Sequence, residues 1–447
     1  MKSILLLGAG RSASVLIYYL QEQAALHGWY LTIADSNVDH ISSINLPDYV
    51  RLLPLQLQEE DLVRAEIEKA DLVISMLPAV FHPNVVNWCL RLKRNLITAS
   101  YVAPEIKDLA AEVQEAGLLF VMEAGLDPGI DHMSAMAIIK KIKESGGQLQ
   151  AFKSYTGGLI APESDTNPWH YKFTWNPRNV VLAGQGTAKY LEAGQHKYIP
   201  YHQLFRRTEE LTVHPLGAFD GYANRDSLLY REPYDLPEIN TLIRGTLRRK
   251  GFCQAWQQLV LLGLTDDSYA LQNTAEWTYR QFIQAYLPAT PHLGQPWYER
   301  LATYLQLPLE SEALEKIKWL EFPEEAIGLI NATPAQVLEK LLTRKWQLSP
   351  QDKDMVVMQH IFEYTLNAEK RKLTSSLVVL GEDSQRTAMA KTVGLPVGII
   401  AKLILQNKLN LRGVIIPTLP AIYDPILAEL EQYGVTFVEE ESVVTGL

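Results

Sequence analysis

Cysteine is scarce in this chain. Its 447 residues include only Cys89 and Cys253, too few for a disulfide framework or a cysteine-rich zinc site. The ten histidines show no HExxH or similar ligand spacing, so no metal is expected. Positive charge is in deficit. There are 41 Lys and Arg against 51 Asp and Glu, a net charge of −10. Such a surface repels nucleic acid and anionic membranes, and neither is expected as a partner. No unbroken run approaches the ~18 apolar residues that span a bilayer. Met1-Lys2 followed by Ile4 to Ala9 has too short an apolar core for a signal peptide, and no small-residue cleavage site closes it. Glycine and proline, 26 and 24 residues, stand near background and exclude a collagen-like or linker protein. The 47% hydrophobic and 21% charged residues suit a globular protein of two or three domains, at ~150 residues each. A cytoplasmic enzyme is the expectation.

What the chain does have, over its first 125 residues, is one repeated phrase: apolar strand, turn, helix. Strands are predicted at Ser3 to Gly8, Trp29 to Asp35, Arg51 to Leu57, Asp71 to Leu77, Asn95 to Tyr101 and Gly117 to Met122. Ser14 to Leu26 carries apolar residues at helical spacing. Such alternation predicts an α/β fold, a doubly wound parallel sheet with helices on both faces. After Pro128 the phrase stops. A helix is predicted over Pro128 to Glu144, then a strand from Leu149 to Thr156 running into Gly157-Gly158. From there to Tyr234 the composition suits a mixed α/β region with long loops. Pro237 to Trp346 reads as mainly helical. Ser349-Pro350 with Asp352 reads as a helix start. Strands follow at Met358 to Thr365 and Lys372 to Leu380, and helices at Thr387 to Leu405 and Pro425 to Tyr433.

Gly8-Ala9-Gly10-Arg11-Ser12-Ala13 fits G-x-G-x-x-G/A between the first strand and first helix. The first glycine makes the turn, the second admits a pyrophosphate, and the small Ala13 packs helix on strand. The helix N-terminus offers N–H groups to the phosphates. Asp35 ends the second strand, placed to accept from the adenosine ribose hydroxyls and to repel a 2′-phosphate. NAD is therefore expected, with NADP still possible through a later basic residue. The competing interpretation is a glycine turn in another doubly wound protein, with Asp35 a helix cap.

Ligands of open parallel sheets sit beyond the carboxyl ends of the strands. Three such ends are readable: Ser75-Met76-Leu77-Pro78, Ser100-Tyr101, and Glu123 to Asp127. Gly125-Leu126-Asp127-Pro128-Gly129-Ile130-Asp131-His132 is the most unusual phrase. Asp127 reads both as an N-cap with Pro128 at the first helical position and as a ligand contact. Asp131 and His132 fit structural and functional roles equally. Arg225, Arg244 and Arg248 suit a substrate with several carboxylates, since a guanidinium pairs bidentately and keeps its charge. The bland alternative is a solvated basic face, which Arg249-Lys250 fits better.

With these residues in view, the sequence resembles the saccharopine dehydrogenase family, L-glutamate-forming type. The resemblance rests on Asp71-Leu-Val-Ile-Ser75, Thr98-Ala-Ser-Tyr-Val102, the phrase from Glu123 to His132, Gly157-Gly158 with Ala161-Pro-Glu-Ser164, and Tyr171-Lys-Phe-Thr-Trp175. It continues through Asn224-Arg-Asp-Ser227, Ile243-Arg-Gly-Thr-Leu-Arg248, Gln359-His360 and Ala388-Met-Ala-Lys391. It implies an enzyme that joins L-glutamate to 2-aminoadipate 6-semialdehyde and reduces the imine to saccharopine, in lysine metabolism. It implies saccharopine contacts from Ser100, Tyr101, Asp127, Arg225, Arg244 and Thr246, with Lys172 nearby. Cofactor contacts are implied from Gly8, Gly10, Arg11, Ser12, Ala13, Asp35, Ser75, Met76, Leu77, Pro78, Leu126, Asp127 and Pro128. Asp127, Tyr101 and Lys172 are the candidate proton carriers. The implied layout is a Rossmann domain at 1–127 completed by 387–447, a mixed α/β substrate and dimerisation domain at 128–236 and 355–386, and a helical domain at 237–354. A homodimer is expected. Two departures stand out: Asp35-Ser36 where fungal members carry an arginine and use NADP, and Thr156 where they carry a cysteine. Relatives acting on polyamines or on lysine itself share the Rossmann half, and a non-catalytic NAD(H) sensor is a further alternative.

Overall fold

The computed structural model describes residues 1–39, 46–289 and 294–444, and the chain divides into two compact units. One joins residues 1–148 to 377–438, and the other joins 149–376 to 439–447. The last residues of the expected C-terminal segment, 445–447, lie outside the described residues.

In the first unit, six strands occur in chain order: β1 (Ser3–Leu7), β2 (Tyr30–Asp35), β3 (Val50–Pro54), β4 (Leu72–Ser75), β5 (Asn95–Thr98) and β6 (Leu119–Val121). They pair in parallel in the order β6-β5-β4-β1-β2-β3. β4 is buried along its whole length, as a strand covered on both faces must be, which accounts for its unbroken apolar run. The longer helices are α1 (Ser14–His27), α2 (Glu60–Lys69), α3 (His82–Leu92) and α4 (Ile130–Glu144), with two short ones at Pro104–Asp108 and Ala110–Glu115. On one face Leu5, Leu7, Val73, Leu96 and Phe120 meet Val63 and Ile67 of α2 and Val85, Val86 and Cys89 of α3. Several strands stop sooner than predicted. Met76 to Pro78 and Ser100-Tyr101 therefore fall in loops at the carboxyl edge.

α4 does not begin at Pro128. Its cap is Gly129, at φ 147, a backbone shape closed to other residues, and Asp131 Oδ1 accepts the Gly129 N–H at 2.7 Å. A carboxylate inside the first turn thus takes the capping role that Asp127 was expected to fill.

The second unit holds β7 (Gln148–Ile160), β8 (Thr187–Glu192), β9 (Gln195–Pro200), β10 (Thr208–Val213), β11 (Gly217–Ala223), β12 (Thr241–Arg249), β13 (Asp354–Leu366) and β14 (Glu369–Leu380). Its sheet is mixed, in the order β10-β11-β12-β7-β13-β14, with Phe437–Val443 at the β14 edge. Helices α5 (Phe252–Leu261), α6 (Tyr279–Ala285), α7 (Trp297–Leu305), α8 (Glu312–Trp319) and α9 (Pro334–Lys345) follow β12. Three expectations change here. The stretch from 237, read as helical, opens with β12, a central strand, because long-range pairing with β7 and β11 outweighs local propensity. β7 runs on through Gly157-Gly158, since the bare Cα of Gly157 lies against Leu247 of β12. Ser349-Pro350 makes a turn instead of starting a helix: Asp352 Oδ2 accepts the Ser349 N–H at 2.7 Å and β13 begins at Asp354.

The chain then returns to the first unit. α10 (Ala388–Leu405) is capped by Thr387, whose hydroxyl accepts from Ala390 N at 3.0 Å. It packs on α1, β4 and β5, covering the sheet face opposite α2 and α3. By length and composition α10 could cross a membrane, which the search for an unbroken apolar run missed because Lys391 and Lys402 interrupt it. Here 83% of its span is buried inside the protein. Strand Gly413–Ile415 extends the parallel sheet beside β6, and α11 (Pro420–Gln432) packs on α4 and α10.

Candidate active site

The glycine loop leaves β1 at Gly8, whose φ is 92. A Cβ at Gly8 would stand 2.9 Å from the carbonyl carbon of Met76, so only glycine lets the loop rest on the Ser75–Pro78 segment. Gly10 is exposed, and a Cβ there would meet nothing within 4 Å. That leaves an open approach for a pyrophosphate. Arg11–Ala13 form a 3-10 turn entering α1, and no side chain caps it, which leaves backbone donors for phosphate oxygens. These residues fit a dinucleotide. Asp35 does more than the sequence suggested. Its Oδ2 accepts from Ala9 N at 2.6 Å, and its Oδ1 accepts from Asn37 N at 3.0 Å and from the Ser36 hydroxyl at 3.2 Å. The carboxylate braces the glycine loop, and that brace orders the cradle before any ligand arrives.

At the ends of β4, β5 and β6 the predicted residues come together. The Tyr101 hydroxyl donates to Asp127 Oδ1 at 2.9 Å, and both side chains are half-buried. Leu126 and Pro128 are buried on either side. Behind them, Glu123 at φ 56 accepts from Val102 N at 3.1 Å and pairs with His132 Nε2 at 2.8 Å. Asp131 and His132 are 1% and 0% exposed. Both therefore support the loop from inside.

A histidine that the sequence reading passed over joins the strand ends. His82 opens α3 and is 2% exposed. Its Nδ1 lies 3.1 Å from the Ser75 hydroxyl. Its Nε2 lies 2.8 Å from the Ser100 hydroxyl and 3.2 Å from that of Thr98. Burial pushes its pKa down to about 4, so the ring is neutral. The available signal was a polar residue on the apolar face of α3.

In the second unit, Arg244, Thr246 and Arg248 alternate along β12 and so share one sheet face. Arg244 is buried, with its guanidinium 4.2 Å above the Tyr230 ring. Its N–H donates to the Ser227 hydroxyl at 2.9 Å, and its carbonyl accepts from Asn224 N at 2.8 Å. These bonds hold the Asn224–Ser227 turn against β12. Arg225 in that turn is exposed at φ 52. Thr246 is half-buried. Arg248 is buried over Tyr171 and Phe252, at 5.2 and 5.4 Å, within the aromatic cluster of Trp169, Trp256 and Trp346. A solvated basic face is therefore excluded for Arg244 and Arg248. Lys172 is buried, and its Nζ donates to Asp352 Oδ2 at 2.7 Å. Its charge is already engaged.

Two family models match the chain: the saccharopine dehydrogenase NADP binding domain over residues 4–121 and the saccharopine dehydrogenase C-terminal domain over 125–435. The chain belongs to the saccharopine dehydrogenase family. Saccharopine dehydrogenase (NADP(+), L-glutamate-forming) of Saccharomyces cerevisiae is 33% identical over 99% of this chain and 99% of its own. The mitochondrial alpha-aminoadipic semialdehyde synthase of Bos taurus is also 33% identical, and there the chain matches 48% of a longer protein. The solved apo saccharopine dehydrogenase (L-Glu forming) of S. cerevisiae has a TM-score of 0.87 at 32% identity, covering 99% of this chain and 100% of that one. As a saccharopine dehydrogenase family member, the chain has a Rossmann-like dinucleotide-binding unit and a mixed-sheet unit, as its sequence indicated. The glycine loop, Asp35, and the Ser75, Ser100 and Asp127 segments all lie in the first, and the arginines and Lys172 lie in the second.

Proposed function

We propose that the chain is an NAD-dependent saccharopine dehydrogenase of the L-glutamate-forming type. The reaction is saccharopine + NAD+ + H2O → L-glutamate + 2-aminoadipate 6-semialdehyde + NADH + H+, or its reverse. The observation that carries this reading is the buried Arg244 with Arg225 on the adjoining turn. The Arg244 guanidinium lies over Tyr230, and the backbone of the turn that carries Arg225 is tied to β12 through the Asn224 N to Arg244 O bond. Two guanidiniums suit a substrate rich in carboxylates. Putrescine-like substrates, which carry only cationic groups, would be repelled.

A bound nicotinamide dinucleotide supplies the hydride acceptor in one direction and the donor in the other. The chain's own residues position and manage protons. The Asp127 carboxylate holds the secondary ammonium of saccharopine and takes its proton, which must leave before hydride departs from the neighbouring carbon. Tyr101, donating to Asp127 at 2.9 Å, fixes the carboxylate in place. Lys172 is bound to Asp352, so it orders the loop around Tyr171 instead of carrying protons. Water adds to the resulting imine carbon, and collapse of the carbinolamine releases L-glutamate and the aldehyde.

The NAD preference rests on Asp35 and on the absence of any lysine or arginine from Ser36 to Val50. A carboxylate at the end of β2 repels a 2′-phosphate, and the next cation in the sequence, Arg51, pairs with Glu66. The first-unit family is named for NADP, so this chain would depart from that name. We also propose a homodimer, to be checked by sedimentation. The functional test is turnover with glutamate plus aldehyde beside putrescine plus aldehyde, each with NADH and NADPH. Turnover of the first pair supports the reading. Turnover of the second alone, or of neither, overturns it.

A further inference from the structure

We propose that His82 is a positioning residue for the substrate-facing hydroxyl of Ser100, and that in the saccharopine complex its ring proton sits on Nε2. The inference deepens the reading of Ser100 as a substrate contact and rests on it. Three hydroxyls converge on one buried ring. Ser75 lies at Nδ1, and Ser100 and Thr98 lie at Nε2, with Ser100 the closer at 2.8 Å. Ser75 ends β4 beside the glycine loop, and Ser100 follows β5 beside Tyr101. One imidazole therefore fixes a hydroxyl at each of two neighbouring strand ends.

The ring is neutral, as burial requires. A neutral imidazole has one donor and one acceptor nitrogen, and the choice decides what Ser100 presents. With the proton on Nδ1, the ring accepts the Ser100 hydrogen, and the hydroxyl offers a ligand only lone pairs. With the proton on Nε2, the ring donates to Ser100 Oγ, and the Ser100 hydrogen is released toward the ligand. A carboxylate accepts only, so carboxylate binding selects the second arrangement. Ser75 completes it by donating to Nδ1. Among the described residues His82 is the only side-chain partner of the Ser75 hydroxyl, so that donation gives the Ser75 hydrogen its acceptor.

The two ring positions can be mimicked separately. His82→Gln places its amide near the Nε2 position and keeps a partner for Ser100. His82→Asn reaches only the Nδ1 position and keeps the Ser75 bond. His82→Asn is expected to raise KM for saccharopine about tenfold or more, with cofactor affinity within error of wild type. His82→Gln is expected to recover most of that loss. Nitrogen NMR of ring-labelled protein should show Nδ1 unprotonated once saccharopine is bound. If Gln and Asn variants behave alike, or KM is unmoved, or the proton stays on Nδ1, the assignment is wrong. If wild-type enzyme itself fails to turn over saccharopine, the failure belongs to the proposed function instead.

Discussion

Asp127→Asn separates two roles that the sequence alone could not. Gly129 caps α4 and Asp131 supplies the capping oxygen, so the helix start does not depend on Asp127. Asparagine also retains an Oδ1 that can accept the Tyr101 hydroxyl, now at 2.9 Å. What is lost is charge. Were Asp127 only an anchor for Tyr101, a charge-assisted bond worth ~1.5–3 kcal/mol would become a neutral one worth ~0.5–1.5. That is a difference of about 1 kcal/mol, or roughly fivefold in rate. If Asp127 holds the ammonium and takes its proton, the loss should reach at least ~10²-fold in kcat/KM. The assay is initial-rate saccharopine oxidation, with melting temperature and NAD binding measured on the same preparations. Tyr101→Phe should add little on top of Asp127→Asn, because paired groups act non-additively. A normally stable Asp127→Asn enzyme within about tenfold of wild type would refute the proton role.

Asp35→Ala should narrow the kcat/KM gap between NAD and NADP by about tenfold or more. It should also weaken both cofactors, because the Ala9 brace goes with the carboxylate; a starting preference for NADP would contradict the reasoning. Arg244→Lys should raise KM for saccharopine about tenfold while leaving NAD binding alone, since an ammonium cannot reproduce the planar stack on Tyr230. An unchanged KM would return Arg244 to a packing role. Lys172→Met strands Asp352 and should cost roughly 3 kcal/mol in urea unfolding, with much of it recovered by adding Asp352→Asn. Equal losses in the single and double variants would mean that the ion pair contributes nothing.

Much of the first unit was legible because its signals are local. Buried parallel strands are unbroken apolar runs, and a glycine loop between strand and helix has a short motif. Gly8, Asp35, Ser75 and Ser100 all stand at strand ends, as their sequence positions indicated. The misreadings have two physical sources. β12 is a strand because β7 and β11 flank it, whereas Gly129 starts α4 and Ser349 turns because Asp131 and Asp352, two and three residues on, reach back to their N–H groups. His82 left only the signal of a polar residue on an apolar helix face, since its partners Ser75, Thr98 and Ser100 arrive from two other strands. Long-range partners leave no periodicity to read.

The return of α10 and the Gly413–Ile415 strand to the first sheet has a consequence for the making of the protein. β1 to β6 emerge from the ribosome before the second unit, but the helix that covers β4 and β5 is encoded only after the Leu149–Ser376 segment of that unit. At ~5–20 residues per second, the naked face of that sheet waits on the order of 10–60 s for its cover. During that interval the second unit, whose segment from Leu149 to Ser376 is continuous, can complete most of its own sheet. The dinucleotide site therefore matures late, although its strands are made before the second unit. Ribosomes stalled before Thr387 would carry a mixed-sheet unit largely shaped and a nucleotide-binding unit still open to chaperones.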